Sequence, residues 1–281
     1  MSRPDHWMKR LFSGPKPGEI LRLGAQTAER WSGSLRSGFV KVAEKPLFAG
    51  AALQPECLMT ALPALYGADQ SAKKVAVLLE SPWLPVILLD GMESLQTVTQ
   101  TTAWMRHRFR RLYGSAMDDL STWDVRAEHV HDRHRVLGHA LPSSIRLNLI
   151  AAAQQCGVKL VAMTPAWNWA WQHNQAERRL QGRSGWWVYA EQDRLMLLRH
   201  EKGEPIYLNA AIPQGALDEV DVAVLADTEA LRGGIRNTAD SIALATWLEP
   251  STLPEPRGRV TWRSFAAASN EPQSTRPGMA S

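Results

Sequence analysis

The stretch Trp186–His200, WWVYAEQDRLMLLRH, decides the fold of this chain. Its apolar residues form two short runs on either side of the polar pair Gln192–Asp193. Short runs rich in aromatic and aliphatic residues, broken by polar turn residues, are typical of β-hairpins. A third run follows the turn Glu201–Gly203. We therefore predict a three-stranded meander with strands at 186–190, 194–200 and 205–211.

A similar order of elements is predicted near the start of the chain. Ile20–Leu23 and Gly38–Val42 are short apolar runs separated by turn-like residues. A short helix is predicted at Pro55–Tyr66. Val75, Val77 and Leu79 then alternate as in a strand, and the buried-looking run Val86–Leu89 follows. A meander followed by βα units thus occurs twice, which indicates a mixed α/β protein with two related halves.

Between Leu89 and the second meander, three further helices are predicted. In the first, apolar residues recur at steps of three and four from Leu95 to Leu112, with Ser94 as N-cap and Gly114 as the C-terminal stop. The other predicted elements outside the meanders are an extended segment at 123–136, a helix from Ser143 to Cys156, a strand at 158–163, a Trp-rich helix at 165–173, a strand at 221–226 and a helix at 238–247.

The composition, and the proline and glycine residues near both ends, predict a globular protein with flexible ends. Of the 281 residues, 44% are apolar and 21% charged, which is enough for a sizeable core. The predicted division is a flexible lead-in at 1–17, a first subdomain at 18–180, a second and smaller subdomain at 181–248, and a largely disordered tail at 249–281.

The cysteines and the hydropathy pattern indicate a protein of a reducing compartment. Cys57 and Cys156 are far apart and form no CxxC motif, so we expect free thiols. The first residues hold no long apolar run, and we expect no signal peptide. No window offers 18 consecutive apolar residues, so we expect no direct membrane insertion.

Two kinds of site are suggested by charge, and neither is favoured. Met105–Tyr113, MRHRFRRLY, is the one strongly basic run, and we interpret it as a solvated helix face, not as a nucleic-acid site. Glu128–His134 resembles the HxHxDH motif of metallo-β-lactamase-type hydrolases, but Asp132 comes one position early. A metal-dependent hydrolase that uses His129, His131 and His134 stays an alternative.

Nucleotide-driven and nucleophilic chemistry have little support in the sequence. GxxxxGK[ST], GxGxxG and GxSxG motifs are all missing, and Gly233–Gly234 is a lone glycine pair. Tryptophan, in contrast, is abundant: there are 12, against 4 Tyr and 5 Phe. Trp167, Trp169 and Trp171 lie on one predicted helix, where Trp167 and Trp171 share a face and Trp169 points elsewhere. Core packing explains most of them, and Trp169 is a candidate partner contact.

The segment Lys74–Asn174 resembles the actin-like proteins of bacterial pilus and secretion machinery, the PilM and GspL families. The similarity is carried by VAVLLESPWLPVILL at 75–89, by the helix with Arg106–Phe109 and Tyr113–Gly114, and by Trp123–Val125 and Leu160–Pro165. The meander Gly185–Ala211 looks like the opening of a second actin-like subdomain. The resemblance implies an actin-like, RNase H-like fold with duplicated subdomains and mixed sheets flanked by helices.

The resemblance also implies a function in assembly. Proteins of these families lie at the cytoplasmic face of the inner membrane and bind the cytoplasmic segment of a membrane-anchored pilus or secretion protein. Actin-like ATPases hold phosphate with an Asp-x-Gly turn, yet Arg22 occupies the position of the acid, and the second turn, near Val188–Arg194, has no glycine. We therefore expect no cofactor and no catalysis, with a divergent ATPase as an alternative. Partner contacts are predicted at Trp83, Arg106, Arg110 and Trp169.

Overall fold

The computed structural model describes most of the chain, and the predicted lead-in at 1–17 lies outside the described part. The described residues are 18–47, 56–67, 73–91, 94, 97–114, 122–130, 135–176, 184–213, 222–235, 241–248, 250, 253 and 260–267. The helices are α1 (Glu56–Tyr66), α2 (Val98–Tyr113), α3 (Ser143–Gln155), α4 (Ala166–Ala176) and α5 (Val222–Arg232). The strands are β1 (Glu19–Leu23), β2 (Thr27–Ser34), β3 (Gly38–Pro46), β4 (Lys74–Leu79), β5 (Val86–Leu89), β6 (Trp123–His129), β7 (Val136–Pro142), β8 (Lys159–Pro165), β9 (Gly185–Ala190), β10 (Leu195–Glu201), β11 (Glu204–Ala211), β12 (Ile242–Thr246) and β13 (Val260–Ser264).

Two five-stranded sheets of the same topology form the framework. The first has the order β3-β2-β1-β4-β8 and the second the order β11-β10-β9-β12-β13. In each sheet three strands form an antiparallel meander, and the next two run parallel to the first strand of that meander. The prediction of two related halves is therefore confirmed. We call the first sheet with α1 and α3 the first lobe, and the second sheet with α5 the second lobe.

Strand alternation distributes the side chains of each sheet over two cores. Leu21 and Leu23 of β1 face the helices of the first lobe, whereas Ile20 faces the other way. In β9, Trp186 and Val188 likewise face α5, and Trp187 faces away from it. Both faces of each central strand are covered, which explains why these strands lack the polar alternation of a half-exposed sheet.

The inward faces of the two sheets share one aromatic core, which we call the inter-lobe core. It contains side chains from β1, β4, β9, β10 and α4, and Phe39 and Phe265 at its rim. Its tryptophans are Trp31, Trp167, Trp169, Trp171, Trp187 and Trp247. Half of the 12 tryptophans of the chain therefore fill the space between the lobes.

A small three-stranded sheet is inserted into the first lobe between β4 and α3. Its order is β5-β7-β6, with both pairs antiparallel. Helix α2 covers one face of this insert by burying Thr101, Met105 and Phe109. The helix begins at Val98 with Thr97 as its N-cap, so the prediction of Ser94 as the cap is wrong. Gly114 ends the helix as predicted, with φ of 57°.

Three element predictions are wrong in the second half of the chain. The segment predicted as a strand at 221–226 is helical over its described residues, as the start of α5. Within the predicted helix at 238–247, Ile242–Thr246 forms β12. Within the tail predicted to be disordered, Val260–Ser264 forms β13 and pairs with β12. The second sheet thus extends beyond the predicted boundary at residue 248.

Candidate functional site

Two turns stand at the positions where actin-like ATPases bind phosphate, and the sequence predicts that neither binds it here. The structure brings these two turns together where the lobes join. The first lies between β1 and β2, and the second between β9 and β10. The side-chain Oε1 of Gln192, in the second turn, accepts hydrogen bonds from the backbone N–H groups of Gln26 and Thr27, each at 3.0 Å. A Cβ atom on Gly24 would overlap the Gln192 amide, so this close approach requires glycine at position 24.

Arg22 lies behind these turns in a buried ion cluster. Its Nε donates to Glu80 Oε1 at 2.7 Å, and its Nη1 donates to Glu29 Oε2 at 3.0 Å. Burial opposes the charge of Arg22, but the facing carboxylates of Glu80 and Glu29 outweigh burial and raise its pKa. The residue that stands at the acid position is thus fixed as a cation, and its partners are protein carboxylates.

Two carboxylates extend this cluster across the lobe junction. Glu80 Oε2 of the first lobe accepts the backbone N–H of Gln192 at 3.0 Å. Glu191 of the second lobe accepts from the backbone N–H and hydroxyl of Ser81, at 3.1 and 2.9 Å. Burial and the nearby charge of Glu80 raise the pKa of Glu191 to about 8. We call Arg22, Glu29, Glu80, Ser81, Glu191 and Gln192 the junction cluster.

The raised pKa of Glu191 predicts a pH-dependent stability. The ordinary pKa of a glutamate is 4.5, so above this pH Glu191 loses its proton in the unfolded chain. In the folded chain Glu191 keeps this proton until about pH 8. The folded state binds more protons in this window, so the free energy of unfolding should fall as pH rises through it. The limiting slope for one proton is about 1.4 kcal/mol per pH unit. Urea unfolding of the wild type and Glu191→Gln between pH 5 and 9 measures this decline.

The glutamine variant is the matched comparison, because it keeps the size and an acceptor for Ser81 but cannot ionise. Its stability should fall less steeply over the same range. Burial also raises the pKa of Glu80, so some slope remains in both proteins. Parallel stability curves for the two proteins would show that Glu191 ionises normally.

A cleft of about 510 Å³ lies between the first lobe and the insert. Its floor is the apolar segment Leu160–Met163 of β8. This strand is at the edge of the first sheet, and β4 is its paired neighbour among the described strands. Leu84, Leu141 and Ile150 extend the apolar surface. An apolar floor formed by the edge strand of the sheet suits an extended peptide, which can add as a further strand.

The rim of the cleft is mainly positive. Arg106 of α2, Arg126 of β6 and Arg146 of α3 all line it, and Asp124 is the one lining carboxylate. Arg146 Nε donates to Asp124 Oδ2 at 2.5 Å, so this acid is already paired. Burial and the nearby charge of Arg126 lower the pKa of His139 to about 4, so the imidazole adds no charge at neutral pH. The rim therefore favours an acidic or C-terminal group.

The residues predicted to contact a partner divide into two groups. Arg106 and Arg110 are exposed on α2, and Arg106 lines the cleft. Trp83 and Trp169 are each 4% exposed. Trp83 Nε1 donates to the carbonyl oxygen of Gly24 at 2.7 Å, and Trp169 packs in the inter-lobe core. The two tryptophans are core residues of this chain, whereas a partner contact at the two arginines stays a prediction.

The alternative metal site at His129, His131 and His134 lies mainly outside the described residues, which do not include His131 and His134. His129 ends β6, and its Nε2 lies 3.2 Å from Thr101 Oγ1. Among the described residues, no group of three or more His, Cys, Asp or Glu side chains could hold a metal ion. Cys57 and Cys156 are free, as expected.

Sequence reasoning missed Glu80, Glu191 and Gln192 as members of the junction cluster. Each lies in a turn or directly before one, where a polar residue is ordinarily solvated. The signal for Glu80 was its position between two apolar runs, directly after β4. Sequence reasoning also missed the cleft, since its walls come from segments that only the insert brings together.

No protein-family model matches this chain, and no curated protein matches it in sequence. Among solved structures, it is similar to a Bacteroides thetaiotaomicron protein with an actin-like ATPase fold and unknown function: 12% identity, 86% of each chain covered, TM-score 0.55. It is also similar to a chain of a PilM–PilN type IV pilus biogenesis complex, at 12% identity over 83% of this chain and 82% of that chain, TM-score 0.51. These similarities confirm the predicted actin-like fold.

The cytoplasmic domain of EpsL, an inner-membrane component of the Vibrio cholerae type II secretion system, is a more distant neighbour. It has 12% identity over 89% of this chain and 86% of that chain, with a TM-score of 0.47. Similarity at this level supports no argument about function. No helix among the described residues is long and apolar enough to span a bilayer.

Proposed function

We propose that this chain is a non-catalytic, cytoplasmic assembly subunit that binds a segment of a membrane-anchored partner of a type IV pilus or type II secretion-like system. The observation that carries the proposal is the cleft between the first lobe and the insert. It combines an apolar floor, a strand that is at the edge of its sheet among the described residues, and a positive rim. A neighbour with this fold, PilM, occurs in a complex with PilN.

The lobe junction supports the absence of catalysis in this proposal. Nucleotides are polyanions, and their phosphates need N–H donors and cations. Here the donors of the first turn bind Gln192, and the cation Arg22 binds Glu80 and Glu29. The two carboxylates Glu80 and Glu29 outnumber the one cation, Arg22, so the junction cluster offers no net positive charge to a triphosphate. Binding through the cleft needs none of these groups.

Partner binding should weaken when the charge at the rim of the cleft is reversed. The probes are synthetic peptides that cover the cytoplasmic segments of membrane-anchored pilus and secretion proteins from the source organism, with binding measured by fluorescence anisotropy. Arg106→Glu should raise the Kd of a bound acidic peptide at least about tenfold, equivalent to about 1.4 kcal/mol. Ala162→Trp, which fills the floor of the cleft, should weaken binding as well.

Arg111→Glu is the matched control, because Arg111 is an exposed arginine of the same helix that does not line the cleft. It changes the net charge by the same amount, so long-range electrostatics are equal in both variants. Thermal melts confirm that the variants fold. Equal effects of Arg106→Glu and Arg111→Glu, with no effect of Ala162→Trp, would exclude the cleft as the binding site.

A further inference from the structure

We propose that the side-chain amide of Gln192 is a built-in ligand that occupies the anion-binding turn of the first lobe and holds the two lobes closed without nucleotide. Two consecutive backbone N–H groups, of Gln26 and Thr27, converge on one oxygen, Gln192 Oε1. Converging backbone donors in a turn are the usual means of binding an anion. In this chain the acceptor comes from the opposite lobe.

The amide nitrogen of Gln192 adds a second contact with the same turn. Gln192 Nε2 donates to Thr27 Oγ1, and lies 3.4 Å from the carbonyl oxygen of Thr27. The glutamine therefore uses both its acceptor and its donor on the same hairpin. A phosphate oxygen could accept from the two N–H groups and from the Thr27 hydroxyl, but it could not donate to the carbonyl oxygen of Thr27 as the amide does.

The two lobes bind each other's turns reciprocally. Gln192 of the second lobe accepts from the first turn, and Glu80 of the first lobe accepts from the backbone N–H of Gln192 itself. Glu191 of the second lobe likewise accepts from the backbone N–H of Ser81 in the first lobe. An external anion would have to displace these acceptors and then remain beside the buried carboxylate of Glu80, whose countercharge Arg22 is already paired. The contacts at the lobe junction thus hold the two lobes in the closed arrangement.

Hydrogen exchange at Gln26 and Thr27 tests this inference, because Gln192 is the acceptor for both amides. In Gln192→Ala these two amides should exchange at least about tenfold faster than in the wild type. Asp193→Asn is the matched control: Asp193 lies in the same turn, but its carboxylate pairs with Arg194 within that turn. The control should leave both amides as protected as in the wild type.

A second variant and a ligand titration complete the test. Gln192→Asn keeps the amide and shortens its reach by one methylene, so it should also speed exchange even if the alanine variant fails to fold. Wild-type melting temperature should not change with inorganic phosphate or with Mg-ATP. Unchanged exchange in Gln192→Asn, or protection of Gln26 and Thr27 by phosphate or Mg-ATP in the wild type, would overturn the inference. Neither result depends on whether the cleft binds a partner.

Discussion

Arg22→Met should lower the free energy of unfolding by about 3–5 kcal/mol, the range measured when one partner of a buried ion pair is removed. Arg22 is 6% exposed and Glu80 is fully buried. Methionine fills a similar volume with a flexible apolar chain, so the loss comes from the ion pair more than from a cavity. Glu80 would keep the backbone N–H of Gln192 but lose its countercharge. Urea unfolding at neutral pH measures the change.

Two further variants separate charge from packing. Arg146→Met removes a partly exposed arginine whose Nε lies 2.5 Å from Asp124 Oδ2, and it should cost less than about 1 kcal/mol because solvent screens this pair. Adding Glu80→Gln to Arg22→Met should restore much of the stability, since it removes the most deeply buried unpaired charge and glutamine still accepts from Gln192. An Arg22→Met variant as stable as Arg146→Met would show that the buried charges contribute little.

The framework of the fold could be predicted because its signals are local. The meander at Trp186–His200 combines apolar runs with polar turn residues, and each strand fits the pleat of a buried sheet. Helix α3 and the Trp-rich helix α4 were also predicted close to their observed bounds. The repetition of one order of elements then predicted two related halves.

The wrong predictions come from short apolar runs whose structure depends on distant partners. Residues 222–226, VAVLA, alternate like a strand, but Val222, Ala226 and Ala230 repeat every four residues and form the buried face of α5. Residues 242–246, IALAT, contain good helix formers, yet they lie between β9 and β13 and form a parallel strand. Helix propensity is a weak preference, and tertiary context overrides it.

The functional features could not be predicted for a related reason. Gln192 lies more than 160 residues from Gln26 and Thr27 in sequence, and a polar residue in a turn is ordinarily solvated. Trp83 is buried in the core of the first lobe, where its Nε1 donates to a backbone carbonyl oxygen. Trp169 is buried in the inter-lobe core. Both burials depend on residues far away in the sequence, so neither has a local signature.

Trp169→Ala should lower the free energy of unfolding by about 3–5 kcal/mol, as expected for removal of a large aromatic side chain from a core. The indole lies 5.7 Å from the ring of Trp247 and 5.3 Å from that of Phe265, both near the second sheet, and 6.0 Å from Phe39 of β3. The variant therefore leaves a cavity in the inter-lobe core and removes contacts that join the lobes. Urea unfolding and the melting temperature measure the loss.

Trp104→Ala is the matched control for this prediction, because Trp104 is a half-exposed helical tryptophan outside the inter-lobe core, stacked with Arg108. The same truncation there should cost less than half as much, since much of the indole already contacts water. A Trp169→Ala protein that keeps its stability but no longer binds a partner would show that Trp169 is a surface anchor after all. Strong destabilisation of Trp169→Ala, with a small effect of Trp104→Ala, would instead confirm that Trp169 is a core residue.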